Sequence, residues 1–101
     1  RNALARETAQ GLIENSYRIM IINMDAAPHT FMIKAEGVPD IKVVTDVSPL
    51  SVEALSSRLV SVRLQADPTE IKGRTAKVTF QVSATENSKL TRTLQTTFFA
   101  R

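Results

Sequence analysis

At 101 residues the chain is long enough for one domain with its own apolar core and too short for two. With 43% hydrophobic and 23% charged residues it is not composed like a disordered segment, and the lack of cysteine excludes disulfides, thiol catalysis, thiolate-held iron–sulfur clusters and Cys-based zinc sites. The net charge of +3, from 13 Lys and Arg against 10 Asp and Glu, is scattered rather than gathered into a stripe, which argues against nucleic acid as a partner.

The first segment, Ala3 to Gln10, is rich in helix formers and is followed by Gly11, so a short helix and an extended lead-in both remain open. Period-two alternation then begins. Tyr17, Ile19 and Ile21 alternate with Arg18, Met20 and Ile22, and after a break at Asp25–Thr30 containing Pro28, Phe31, Ile33 and Ala35 alternate with Met32, Lys34 and Glu36. Gly37, Pro39 and Asp40 interrupt the chain before a short apolar run, Ile41 to Val44, and Pro49 marks the next break.

Val60, Val62, Leu64 and Ala66 form the next inward set, with Ser61, Arg63 and Gln65 outward. Asp67–Pro68 and Gly73 separate it from the cleanest strand, where Ala76, Val78, Phe80, Val82 and Ala84 share one face. The densest basic group, Lys72, Arg74 and Lys77, reads as a solvated face. After Glu86-Asn87-Ser88, the segment Leu90 to Phe99 carries Thr91, Thr93, Thr96 and Thr97, whose branched side chains favour extended structure. Arg92 then interrupts its inward face, which points to a sheet edge. Phe98 and Phe99 cannot both face inward, and Phe98 is the expected core residue.

Short strands at this spacing predict an all-β, immunoglobulin-like β-sandwich of about seven antiparallel strands, without a disulfide, formed by residues 1–101 as a single domain. No catalytic or cofactor-binding residue stands out. His29 is the sole histidine and has no evident nucleophile beside it, and Gly11, Gly37 and Gly73 are too isolated to cradle a phosphate. One constellation has possible metal chemistry: Met20, Met24, His29 and Met32 fall within a short stretch, and thioether and imidazole ligands suit copper(I). On a hairpin Met20 and Met32 would both point away from the core and neighbour each other across the pair. The competing reading makes these methionines gap fillers or single surface residues.

The stretch RNALARETAQGLIENSYRIMIIN resembles the start of the C-terminal domain of the FixG/CcoG family of cytochrome c oxidase accessory proteins. The resemblance rests on Arg6-Glu7-Thr8, Gly11, Ile13-Glu14-Asn15, Tyr17, Ile19, Ile21 and Asn23. It implies an immunoglobulin-like domain following the last span of a bacterial inner-membrane protein, with this part on the periplasmic side. It implies 4Fe–4S clusters elsewhere in that parent and a role in copper(II) reduction for assembly of the cbb3-type oxidase. The start at Arg1 rather than Met is expected of a domain cut from a longer protein. The expected role is non-catalytic: Ile22, Met32 or a sheet edge would contact an oxidase subunit or a copper carrier. The cluster cysteines lie outside this segment, so no ligand is carried over. Arg6, Glu7, Glu14, Asn15 and Tyr17 are expected to pack and hydrogen-bond at the start of the first strand. A generic secreted or cell-surface interaction module is the alternative reading.

Overall fold

Branched and aromatic residues at alternate positions favour extended backbone, and each such strand must bury its apolar face against another. The computed structural model describes residues 5–100, the side chain of Ser88 apart, and is built of eight strands. They are β1 (Ala5–Glu7), β2 (Ile13–Asn23), β3 (His29–Glu36), β4 (Lys42–Thr45), β5 (Leu50–Val52), β6 (Ser56–Ala66), β7 (Thr75–Ala84) and β8 (Asn87–Phe99). A 3-10 turn at Pro68–Glu70 follows β6, with the Asp67 side chain accepting from the Thr69 N–H.

The strands form two antiparallel sheets of four, ordered β1-β2-β6-β4 and β5-β3-β7-β8. Leaving β5 aside, this is the ABED and CFG arrangement of an immunoglobulin constant-type sandwich, with β5 added beside β3. The three-residue strands β1 and β5 are the elements that alternation could not reveal, because three residues carry too little of a period.

The alternating sets lie where their pattern placed them. Ile19, Ile21, Val60, Val62, Leu64 and Ala66 of the first sheet are buried, and Val78, Phe80, Ala84 and Phe98 of the second close over them. Each fully buried Val, Leu or Phe side chain contributes about 1.5–3 kcal/mol. Tyr17 meets Phe80 edge to face across the sheets, ring centroids 5.3 Å apart. Lys72, Arg74 and Lys77 are exposed.

One open sequence reading is resolved and one is corrected. In the N-terminal segment the described part is not helical: Ala5–Glu7 is a strand paired with Ile13–Asn15, while Ala3 and the residues before Ala5 lie outside the described residues. The two first alternating segments do not form a hairpin. β2 pairs with β1 and β6 and β3 with β5 and β7, so the chain crosses between sheets at residues 24–28.

Gly37 ends β3 with φ +128°, and a Cβ there would lie 2.3 Å from the Lys77 carbonyl oxygen of β7. Gly73 also has positive φ, +85°, but open space around it. Gly37→Ala is therefore expected to destabilise the fold by about 2–4 kcal/mol, from backbone strain plus overpacking. Gly73→Ala should cost about 1–2 kcal/mol, from the left-handed backbone alone. Urea unfolding of both variants checks the difference.

Candidate functional site

The residues that carry the family resemblance build a structural clamp. Across the β1–β2 hairpin Arg6 faces Glu14, with Nε donating to the carboxylate at 2.8 Å. Thr8 organises the turn: its hydroxyl oxygen accepts from the Gln10 and Leu12 N–H groups, and Gly11 supplies the left-handed residue at φ +81°. Glu14 is buried on the outer side of the sheet, where Gln65 donates to it at 2.8 Å and Arg63 approaches to 3.7 Å. The Gln65 and Arg6 hydrogen bonds hold its carboxyl below the usual range.

On the opposite face of β2, Asn15 reaches the other sheet. Its side-chain N–H donates to the Phe99 carbonyl at 2.9 Å, and its oxygen accepts the Phe99 N–H at 2.8 Å. The amide thus supplies the donor and acceptor that a neighbouring strand would give. The Tyr17 hydroxyl donates to the Thr97 carbonyl at 2.8 Å, and burial pushes its pKa up to about 12. Together they close the gap between the edges of β2 and β8 at this end of the sandwich.

At the other end the gap stays open. β1 covers β2 only along Ile13–Asn15, and β8 is an edge strand whose residues 87–95 are exposed outside Ser88. Between them lies an open groove of about 870 Å³ with Ile19, Ile21, Phe80 and Val82 among its inner wall and Leu90 and Leu94 at its rim. Leu94 and Arg92 oppose Phe80 and Val82 and so belong to the inner face of their sheet, yet Leu94 is 54% exposed because no strand lies over it. The outer side of β2 continues the apolar surface with Met20 and Ile22, followed by Met24 in the loop, and Leu59 of β6 sits opposite Met20.

The loop at this open end is pinned on both sides. The Asn23 side-chain N–H group donates to the carbonyls of Ala27, Val52 and Glu53, and its oxygen accepts the Asp25 N–H. His29, its side chain only 10% exposed, bonds Asp25 through Nε2 at 2.7 Å and Glu86 through Nδ1. These hydrogen bonds, Asp25 first, raise the His29 pKa and lower those of both carboxyls. The trio ties the β2–β3 loop to the β7–β8 turn.

The copper(I) candidates are not brought together. Met20 is on the outer face of one sheet and Met32 on the outer face of the other, because β2 and β3 belong to different sheets and not to one hairpin. Met24 is 82% exposed in the loop, and both ring nitrogens of His29 are engaged by carboxylates. Among the described residues no group of three or more His, Asp or Glu side chains is placed to hold a metal ion. Sequence reasoning missed Asp25 and Glu86 as partners of His29 and Leu90, Leu94 and Lys89 as groove residues. Only Arg92, a charge at an inward position, signalled the open edge.

Asn15→Ala is expected to cost about 2–4 kcal/mol, since it strands both Phe99 backbone groups. Asn15→Asp should also destabilise near neutral pH and regain part of the loss in acid, where a protonated carboxyl can donate again. Unfolding of both variants at two pH values checks this. For His29, the raised folded pKa makes its contribution fully present below the ordinary value of 6.5 and lost as pH rises through the folded value. Asp25 and Glu86, with lowered values, contribute above the ordinary carboxylate range and lose this as pH falls. His29→Gln should flatten the decline on the alkaline side, measured as the urea midpoint from pH 5 to 9.

Among solved structures, the crystal structure of a FixG-related protein from Vibrio parahaemolyticus is similar, with a TM-score of 0.78 and 20% identity over 89% of this chain and 81% of that one. At that identity the likeness establishes the fold. No curated protein matches the chain in sequence. Compared with known families, residues 1–101 match the one described as "IG-like fold at C-terminal of FixG, putative oxidoreductase". The strand order and a match along the whole chain agree, and the chain belongs to this family of immunoglobulin-like domains from the C-terminus of FixG.

Proposed function

We propose that this chain is the non-catalytic docking domain of a membrane-bound iron–sulfur protein of the FixG/CcoG type. It lies on the periplasmic side of the bacterial inner membrane. There it contacts an oxidase subunit or a copper carrier during assembly of a cbb3-type cytochrome c oxidase. Copper(II) reduction and the 4Fe–4S clusters belong to other parts of the parent, since this chain has no cysteine to ligate a cluster.

The observation that carries the docking role is the concentration of exposed apolar residues at one end. Met20, Ile22, Met24, Leu55, Leu59 and Leu94 are each at least half exposed, and they gather around the open groove and the strand ends beside it. Leu55 joins this end through its N–H, which donates to the Asp25 carbonyl at 3.0 Å. A surface of this kind is typical of an interaction site. The best-buried polar groups, Glu14, Asn15 and Asn23, are engaged in holding strands and loops, which fits a scaffold better than a reaction centre.

Deleting this domain from the full-length parent is expected to lower the amount of assembled, active cbb3-type oxidase in membranes. The electron paramagnetic resonance signals of the parent's own clusters should persist. Normal oxidase maturation after the deletion would overturn the docking role.

A further inference from the structure

The groove ends where Asn15 begins. Phe99 directs its N–H and C=O to Asn15, and Thr97 directs its C=O to Tyr17, away from β7. Backbone groups alternate along an antiparallel strand, so Gln95, Thr93 and Thr91 turn their N–H and C=O groups to that same edge. Among the described residues no backbone partner meets them there. Asn15 and Tyr17 thus take the first two positions of a missing strand, and the positions beyond, at Gln95, Thr93 and Thr91, meet no strand among the described residues. A strand added beside Thr91–Gln95, a span of about 14 Å, would insert alternate side chains between Leu94 and Ile21.

Charge selects among occupants. Lys89 and Arg92 line the groove, and among the described residues neither has a carboxylate within salt-bridge distance. The one carboxylate lining it, Asp25, is engaged by His29. The groove therefore offers cations, apolar walls and a free backbone edge.

We infer that the β8 edge between Thr91 and Gln95 captures an extended segment of a partner protein whose groove-facing side chains are apolar except for one Asp or Glu placed to meet Arg92. This rests on the docking role proposed above and specifies its site and ligand chemistry. The added strand completes the sheet by main-chain hydrogen bonds. Its apolar side chains fill the groove, and a carboxylate pairs with Arg92 or Lys89.

The test uses the full chain, labelled with nitrogen-15, and a nine-residue synthetic peptide whose groove-facing alternate positions are valine with one glutamate among them to meet Arg92, the positions between being threonine. A second peptide carries lysine in place of glutamate. With the glutamate peptide, amide shifts and slowed hydrogen exchange are expected at Thr91, Thr93 and Gln95, weakening as salt rises. The lysine peptide should bind at least tenfold more weakly. Thr93→Pro removes an outward N–H without breaking the ladder to β7 and should weaken binding at least tenfold while the Phe99 amide stays protected. Arg92→Glu should invert the preference between the peptides. Lack of shifts on β8 at millimolar peptide, or binding indifferent to Thr93→Pro or to peptide charge, would overturn the inference. So would occupation of this edge by a second copy of the chain, seen as dimerisation that Thr93→Pro abolishes. Adsorption to phosphatidylglycerol vesicles without peptide binding would also overturn it. In the parent, Thr93→Pro should impair oxidase assembly as deletion does. Impairment by deletion but not by Thr93→Pro would sink the groove and leave the docking role standing. Impairment by neither would sink both.

Discussion

The bond pair between the Asn15 side chain and the Phe99 backbone fixes how the two sheets meet. A sandwich of two open sheets leaves unpaired N–H and C=O groups along its edges, and burying such groups unpaired costs about 1–3 kcal/mol each. Asn15 is 2% exposed and yet satisfies both Phe99 groups, because its amide has the donor and acceptor of a peptide bond. Tyr17 adds the Thr97 carbonyl two residues earlier and seats its ring against Phe80. The apolar core supplies most of the stabilisation, but it is non-directional. The clamp sets which edge of one sheet lies over which edge of the other.

From that constraint the open end follows. With β2 and β8 joined at Asn15 and Phe99, Leu94 and Arg92 project from the inner face with no strand above them. Asn23 and the His29–Asp25–Glu86 trio then hold the loops around the gap in place. The two ends of one sandwich thereby take different parts. The first is stitched shut by polar side chains, and the second keeps an apolar groove with fixed walls. Walls held in this way would lower the ordering cost of capturing a flexible segment, as the proposed docking role requires.

The family resemblance has a physical basis in these same contacts. Arg6, Thr8, Gly11, Glu14, Asn15, Tyr17 and Asn23 each make a hydrogen bond, an ion pair or a turn that the fold relies on. The packing and hydrogen bonding expected of Arg6, Glu14, Asn15 and Tyr17 are what the structure shows. The exposed apolar surface around the groove is made instead from Met20, Ile22, Leu90 and Leu94. Alternation already sets Met20 and Ile22 outward, but nothing in the local sequence separates Leu90 and Leu94 from core residues, because their exposure depends on whether another strand covers them.

Sequence alone determined the strands with a clear period of two and the faces they bury: Val60 to Ala66, Ala76 to Ala84, and Tyr17 to Ile21. Side-chain direction alternates with backbone geometry, so local order suffices for that. It also placed Arg92 at an edge, since a charge on an inward face needs access to water. Only the tertiary structure decided that β2 and β3 lie in different sheets, which separates Met20 from Met32, and that His29 meets a carboxylate from the distant β7–β8 turn. Strand pairing and loop contacts join residues far apart in the chain. Their energies depend on the assembled pair, so no single segment encodes them.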